Sequence, residues 1–122
     1  PVHSLQLVVQ DDIDYRYKQA DRHVLDKAFA LRDTADDVLI VRHGLLTDTS
    51  IANIALWDGC EWYTPAQPLL AGTQRRYLLD TGQIKETDIP VASLGNYRHI
   101  RLFNALIPFG EVELPVGQIR MY

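Results

Sequence analysis

The chain has 122 residues, 47% of them apolar and 23% charged, the balance of one ordinary globular domain rather than of a disordered or fibrous chain. Twelve Lys and Arg against sixteen Asp and Glu leave a net charge of −4, which argues against nucleic-acid and anionic-membrane partners, since both need a basic face. One cysteine, Cys60, excludes an intrachain disulfide and fits a reducing, cytoplasmic setting, and no apolar run reaches the roughly 18 residues of a membrane span.

In chain order, residues 3–9 place Leu5, Leu7 and Val9 at period two and predict a strand. The acidic stretch Asp11-Asp12-Ile13-Asp14 breaks it, and Tyr15-Arg16-Tyr17-Lys18 reads as a short strand or its exit. A helix follows, with Asp21 as N-cap and Val24, Leu25, Ala28, Phe29 and Arg32 on one face. Val38-Leu39-Ile40-Val41 is a continuous apolar run, suited to a strand covered on both faces. Ile51 to Trp57 and Glu61 to Thr64 predict a hairpin about a two-residue Asp58-Gly59 turn. Gly72-Thr73 opens a second helix, closed by Gly82. A short strand from Ile84 to Ile89, a turn or short helix from Pro90 to Tyr97 and a last strand from His99 to Leu106 precede an irregular tail from Gly110. The sum is an α/β (α+β) domain in which strands dominate.

Three segments could carry chemistry. Lys18, at a strand end beside aromatic residues, either snorkels to solvent or keeps a lowered pKa and forms a Schiff base. Thr47-Asp48-Thr49-Ser50-Ile51-Ala52-Asn53 is either turn chemistry or a loop fixing Asp48 against a cationic ring nitrogen, with Ser50 and Asn53 holding its shape. Leu69-Leu70-Ala71-Gly72-Thr73-Gln74-Arg75 is either a plainly capped helix or a phosphate cradle, because free N–H groups at a helix start bind anions. An amine, a carboxylate and a phosphate cradle are together what pyridoxal 5′-phosphate requires. The four histidines lie in four segments without ligand spacing, so no metal site is expected.

The succession Tyr17-Lys18-x-x-x-Arg22, Asp48-Thr49-Ser50-x-x-Asn53 and Thr64-Pro65-x-x-x-Leu69-Leu70-x-Gly72-Thr73-x-Arg75 resembles the class IV aminotransferases, from about Ile13 to about Pro108. That group of pyridoxal-phosphate enzymes includes branched-chain and D-amino-acid aminotransferases and 4-amino-4-deoxychorismate lyase. The spacing of Arg22 after Lys18 looks closest to the lyase-like members, and His23 stands where branched-chain enzymes have a Tyr.

The resemblance implies the larger C-terminal domain of that fold, a curled and mostly antiparallel sheet with flanking helices, over residues 1–122. It implies Lys18 as the catalytic amine and cofactor tether, and Asp48, in place of the family's Glu, as partner of the pyridine nitrogen. Leu70 would pack on the ring, Gly72, Thr73 and Gln74 would hold the phosphate through backbone and side chain, and Asn104 would reach it too. It further implies a small-molecule amino substrate, a homodimer, and an N-terminal domain for which this chain has no counterpart. Pro1 in place of Met fits a piece of a longer protein. The alternative is an inactive fragment or a non-catalytic structural relative that binds no cofactor.

Overall fold

The computed structural model describes residues 2–12 and 22–122. Lys18, the expected strand about it and the Asp21 cap lie outside the described residues. The elements are β1 (Leu5–Val9), α1 (Arg22–Phe29), β2 (Asp37–Arg42), β3 (Leu45–Leu46), β4 (Asn53–Trp57), β5 (Trp62–Pro65), α2 (Thr73–Asp80), β6 (Lys85–Thr87), β7 (His99–Phe103), β8 (Val112–Pro115) and β9 (Ile119–Arg120).

They form two sheets, ordered β3-β2-β1-β9 and β6-β5-β4-β7-β8. The first is built on parallel pairs, β1 with β2 and β1 with β9, while β4, β5, β7 and β8 pair antiparallel. The apolar run of β2 behaves as its composition demands. Leu39 and Val41 enter the main core with Leu5 and Leu7, whereas Val38 and Ile40 meet Leu25 and Ala28 of α1 on the other face. That second layer corrects one expectation: Val8 is buried there, and Val9, at period two from Leu7, is 47% exposed. Ile54 and Leu56 of β4 and Ile100 and Leu102 of β7 complete the main core from the second sheet. Each such side chain contributes on the order of 1.5–3 kcal/mol by leaving water. On the reverse face of β4 and β7, Ala55 and Phe103 pack against Leu78 of α2.

Two further expectations need correction. The β4–β5 hairpin pairs Trp57 with Trp62, so its loop holds four residues and not two. Asp58 Oδ1 accepts from the Cys60 and Glu61 N–H groups, both at 2.8 Å, and Gly59 takes the left-handed conformation at φ 105°. The tail is also ordered. Val112–Pro115 pairs with β7, and Ile119–Arg120 pairs in parallel with β1. Pro115 is tolerated because β8 is an edge strand, where a missing donor costs nothing.

Candidate functional site

Residues 47–52 carry the chain from the first sheet into β4, and their backbone is fixed to β2. The Ile40 N–H donates to the Asp48 carbonyl at 2.8 Å, and the Thr47 N–H donates to the Ile40 carbonyl at 2.9 Å. Thr49 Oγ1 accepts from the N–H groups of Ile51 (3.3 Å) and Ala52 (3.0 Å), the local bonding that lets Thr shape a loop. The Ser50 hydroxyl donates to Asp37 Oδ1 at 2.7 Å, a buried contact that anchors the loop from behind.

This loop presents Asp48, which is buried. Its Oδ1 accepts from the Leu69 N–H at 2.7 Å, and its Oδ2 accepts from Asn53 Nδ2 at 3.1 Å. Burial pushes the carboxyl up to about 7, and these hydrogen bonds oppose the shift only in part. Among the described residues, no Lys, Arg or His is ion-paired with it. A carboxylate with neutral donors, spare lone pairs and no counter-charge is built to receive a cation.

Gly72 caps α2 in extended backbone, and the first intrahelical bond runs from the Arg76 N–H to the Gly72 carbonyl at 3.2 Å. The N–H groups of Thr73, Gln74 and Arg75 precede it and find no acceptor among the described residues. Aligned with the positive end of the helix dipole, they suit an anion. Asp48, Asn53, Leu70, Gly72, Thr73 and Asn104 all line one cavity of about 320 Å³, at the lower end of the ~300–1,000 Å³ typical of small-molecule sites. Carboxylate, apolar wall and anion-binding helix start are the parts a phosphorylated pyridinium needs, so the residues present fit that group.

Two predicted residues sit differently from expectation. The Gln74 side chain turns away to the loop after β7, donating to the Asn104 carbonyl and to the Ile107 carbonyl (2.9 Å) and accepting from the Phe109 N–H (2.8 Å). Only its backbone N–H remains for an anion. Asn104 lines the cavity, yet its amide is committed: Nδ2 donates to the Ile51 carbonyl (2.9 Å) and Oδ1 accepts from the Leu106 and Ile107 N–H groups (both 2.8 Å). Leu69, beside Leu70 in the segment already singled out, also lines the cavity, as does Leu25, which the sequence did not signal because it arrives from α1.

A sequence model of the family Amino-transferase class IV matches residues 4–114. An uncharacterized protein of Haemophilus influenzae is 41% identical over 103 residues, covering 84% of this chain and 55% of that protein. The crystal structure of a putative 4-amino-4-deoxychorismate lyase from Haemophilus somnus superposes with a TM-score of 0.82 at 36% identity, covering 88% of this chain and 55% of that one. A hypothetical aminotransferase from Mycobacterium tuberculosis, in a PLP-bound form, shares the fold with a TM-score of 0.70 at 18% identity, over 88% of this chain and 45% of that one. The chain thus spans about half the length of these relatives.

Proposed function

The chain belongs to the class IV aminotransferase family, and we propose on that premise that the full-length protein is a pyridoxal-phosphate enzyme acting on a small amino substrate, with lyase-like chemistry of the aminodeoxychorismate type. The observation that carries the proposal is the buried Asp48 carboxylate, without a counter-charge among the described residues, in the same cavity as Thr73 at the start of α2. The family match favours this reading over a non-catalytic relative. The 36% identity to a lyase-named structure and the Lys18-to-Arg22 spacing favour elimination over transamination.

Asp48 would pair with the ring nitrogen, Leu70 would cover the ring, and the Thr73 and Gln74 backbone N–H groups that follow the Gly72 turn would hold the phosphate. When bound, the cofactor supplies an electron sink for the pair released at the substrate Cα. The chain's own groups do the rest. Asp48, half protonated near pH 7, ionises beside a cation and keeps a proton on the ring nitrogen through a charge-assisted hydrogen bond. The Lys18 amine tethers the cofactor and moves the proton at Cα. Burial of the Asp48 carboxylate keeps water from it and so strengthens that pairing. On the same reading, residues 1–122 are the cofactor-binding part of a cytoplasmic homodimer, whose substrate wall is completed by residues outside them. No described helix is long and apolar enough to cross a membrane.

The test is made on full-length protein supplied with pyridoxal phosphate. Borohydride reduction should leave a phosphopyridoxyl label on Lys18, found by peptide mass spectrometry, and aminodeoxychorismate should yield pyruvate and 4-aminobenzoate. A keto acid formed only with an added acceptor would move the reaction to transamination. A protein left unlabelled at Lys18 would remove the cofactor from the proposal.

A further inference from the structure

Asn53 opens β4 with its backbone opposite Phe103 in the sheet register, and its side chain is buried. The amide bonds three groups in two segments. Nδ2 donates to Asp48 Oδ2 at 3.1 Å and to the Leu70 carbonyl at 2.7 Å, while Oδ1 accepts from the Gly72 N–H at 3.2 Å. The partners fix which end of the amide is which, because a carbonyl can only accept and a backbone N–H can only donate. No other side chain of this size meets the pattern: Asp would set a second carboxylate against Asp48 and a lone pair against Leu70, and Leu would leave all three groups unpaired.

Gly72 bears the imprint of this contact. Its φ of −74° is open to any residue, so backbone conformation does not demand glycine. A Cβ built there would stand 2.8 Å from Asn53 Oδ1, and the next nearest atom is Asn53 Cγ at 3.9 Å. Among the described residues, glycine is therefore required by Asn53 and by no other neighbour.

We propose that Asn53 is a positioning residue, whose single amide holds the Asp48 carboxylate and the Gly72 turn ahead of α2 in fixed register, so that both ends of the cofactor are placed by one side chain. The inference rests on the cofactor assignment made above and adds to it the link between the two half-sites. The Asp48 carboxylate depends on Asn53 for one of its donors, and the Gly72 N–H depends on it for its acceptor. Displacing the amide disturbs the carboxylate and the phosphate turn together.

The test is a double-mutant cycle of Asn53→Ala and Gly72→Ala in full-length protein, with Asn53→Ser as a milder replacement should Asn53→Ala fail to fold. Pyridoxal-phosphate affinity and the thermal midpoint of the protein without cofactor are both measured. Gly72→Ala alone is expected to weaken the cofactor about tenfold, and to weaken it less than about threefold further where Asn53 has been shortened, because the clashing oxygen is then gone. Additive effects in both measurements would overturn the proposal. A second readout separates positioning from mere stability. The carboxyl carbon signal of Asp48, assigned by its loss in Asp48→Asn, should titrate about one pH unit higher in the Asn53 variant, the worth of one lost hydrogen bond to a charged group. No charged group is ion-paired with Asp48 among the described residues, so that shift reports the amide. An unmoved titration would also overturn the proposal. Failure of wild-type protein to bind pyridoxal phosphate would count against the cofactor reading alone, since the titration and the thermal cycle need no cofactor.

Discussion

Asp48 makes the protein's stability depend on pH in a direction opposite to that of most carboxylates. Its folded value of about 7 lies above the 3.8 of an ordinary Asp, because burial disfavours the charge more than its donors favour it. Between those two values the native chain keeps a proton that the unfolded chain has lost. The contribution of Asp48 to stability without cofactor therefore falls as pH rises from about 4 to about 7 and levels off above that. The gap of about 3 units (7 − 3.8) caps the effect at roughly 4 kcal/mol, at ~1.4 kcal/mol per unit. Urea unfolding at pH 5 and pH 8 should show wild type losing a few kcal/mol that Asp48→Asn retains. Equal losses in the two proteins would place the pH dependence elsewhere. Pairing with a cation reverses the preference, so cofactor affinity should rise over the same pH interval.

At the scale of elements, the cavity is held open by contacts that sequence periodicity does not record. Gln74 sits at the second position of α2, where a polar side chain suggests a ligand, but its amide reaches three backbone groups some thirty positions onward. Removing it frees the loop that bears Asn104 and Ala105 into the cavity. In Gln74→Ala, the Phe109 amide loses its acceptor and should exchange with deuterium at least about tenfold faster, the ratio that ~1.4 kcal/mol of lost protection gives. The Ile107 amide, still held by Asn104 Oδ1, should change less. Equal protection of Phe109 in both proteins would show the loop to be fixed by other contacts. What could be read in advance follows the same division. The start of α2, the apolar run of β2 and the strands flanking Gly59 are local patterns, and each was legible. The pairing of Ile119 with Leu5 joins opposite ends of the chain, so nothing local to Ile119 signalled a strand, whereas Val112 and Leu114 at period two did carry a signal for the strand that pairs with β7. The Asp48 loop was legible as chemistry because Asp, Ser and Asn cluster there. Its supports at Leu69 and Asp37 were not, since a backbone N–H and an acid heading an apolar run look ordinary in sequence.

Across the whole molecule, the site depends on the seam where the two sheets meet, because Asp48 hangs from β2 while Asn53 begins β4. Phe103 stands next to Asn53 on the face of the second sheet that α2 covers. It is fully buried, its backbone pairs with Asn53, and its ring packs on Ala55, Leu78 and Ile84 and meets Phe109 edge-on at 5.4 Å. Truncation to Ala removes the ring from α2 and β4 at once, and the rigid strands on either side cannot close the void. Phe103→Ala should cost about 3–5 kcal/mol in denaturant unfolding at constant pH. Met121→Ala, at a position 57% exposed, should stay within about 0.5 kcal/mol. The same Phe103 variant should weaken cofactor binding even under conditions where it remains folded, since the void lies beside Asn53, its cross-strand partner on the same face of the sheet. A folded Phe103→Ala protein with wild-type affinity would mean that β4 holds its site residues without support from this layer.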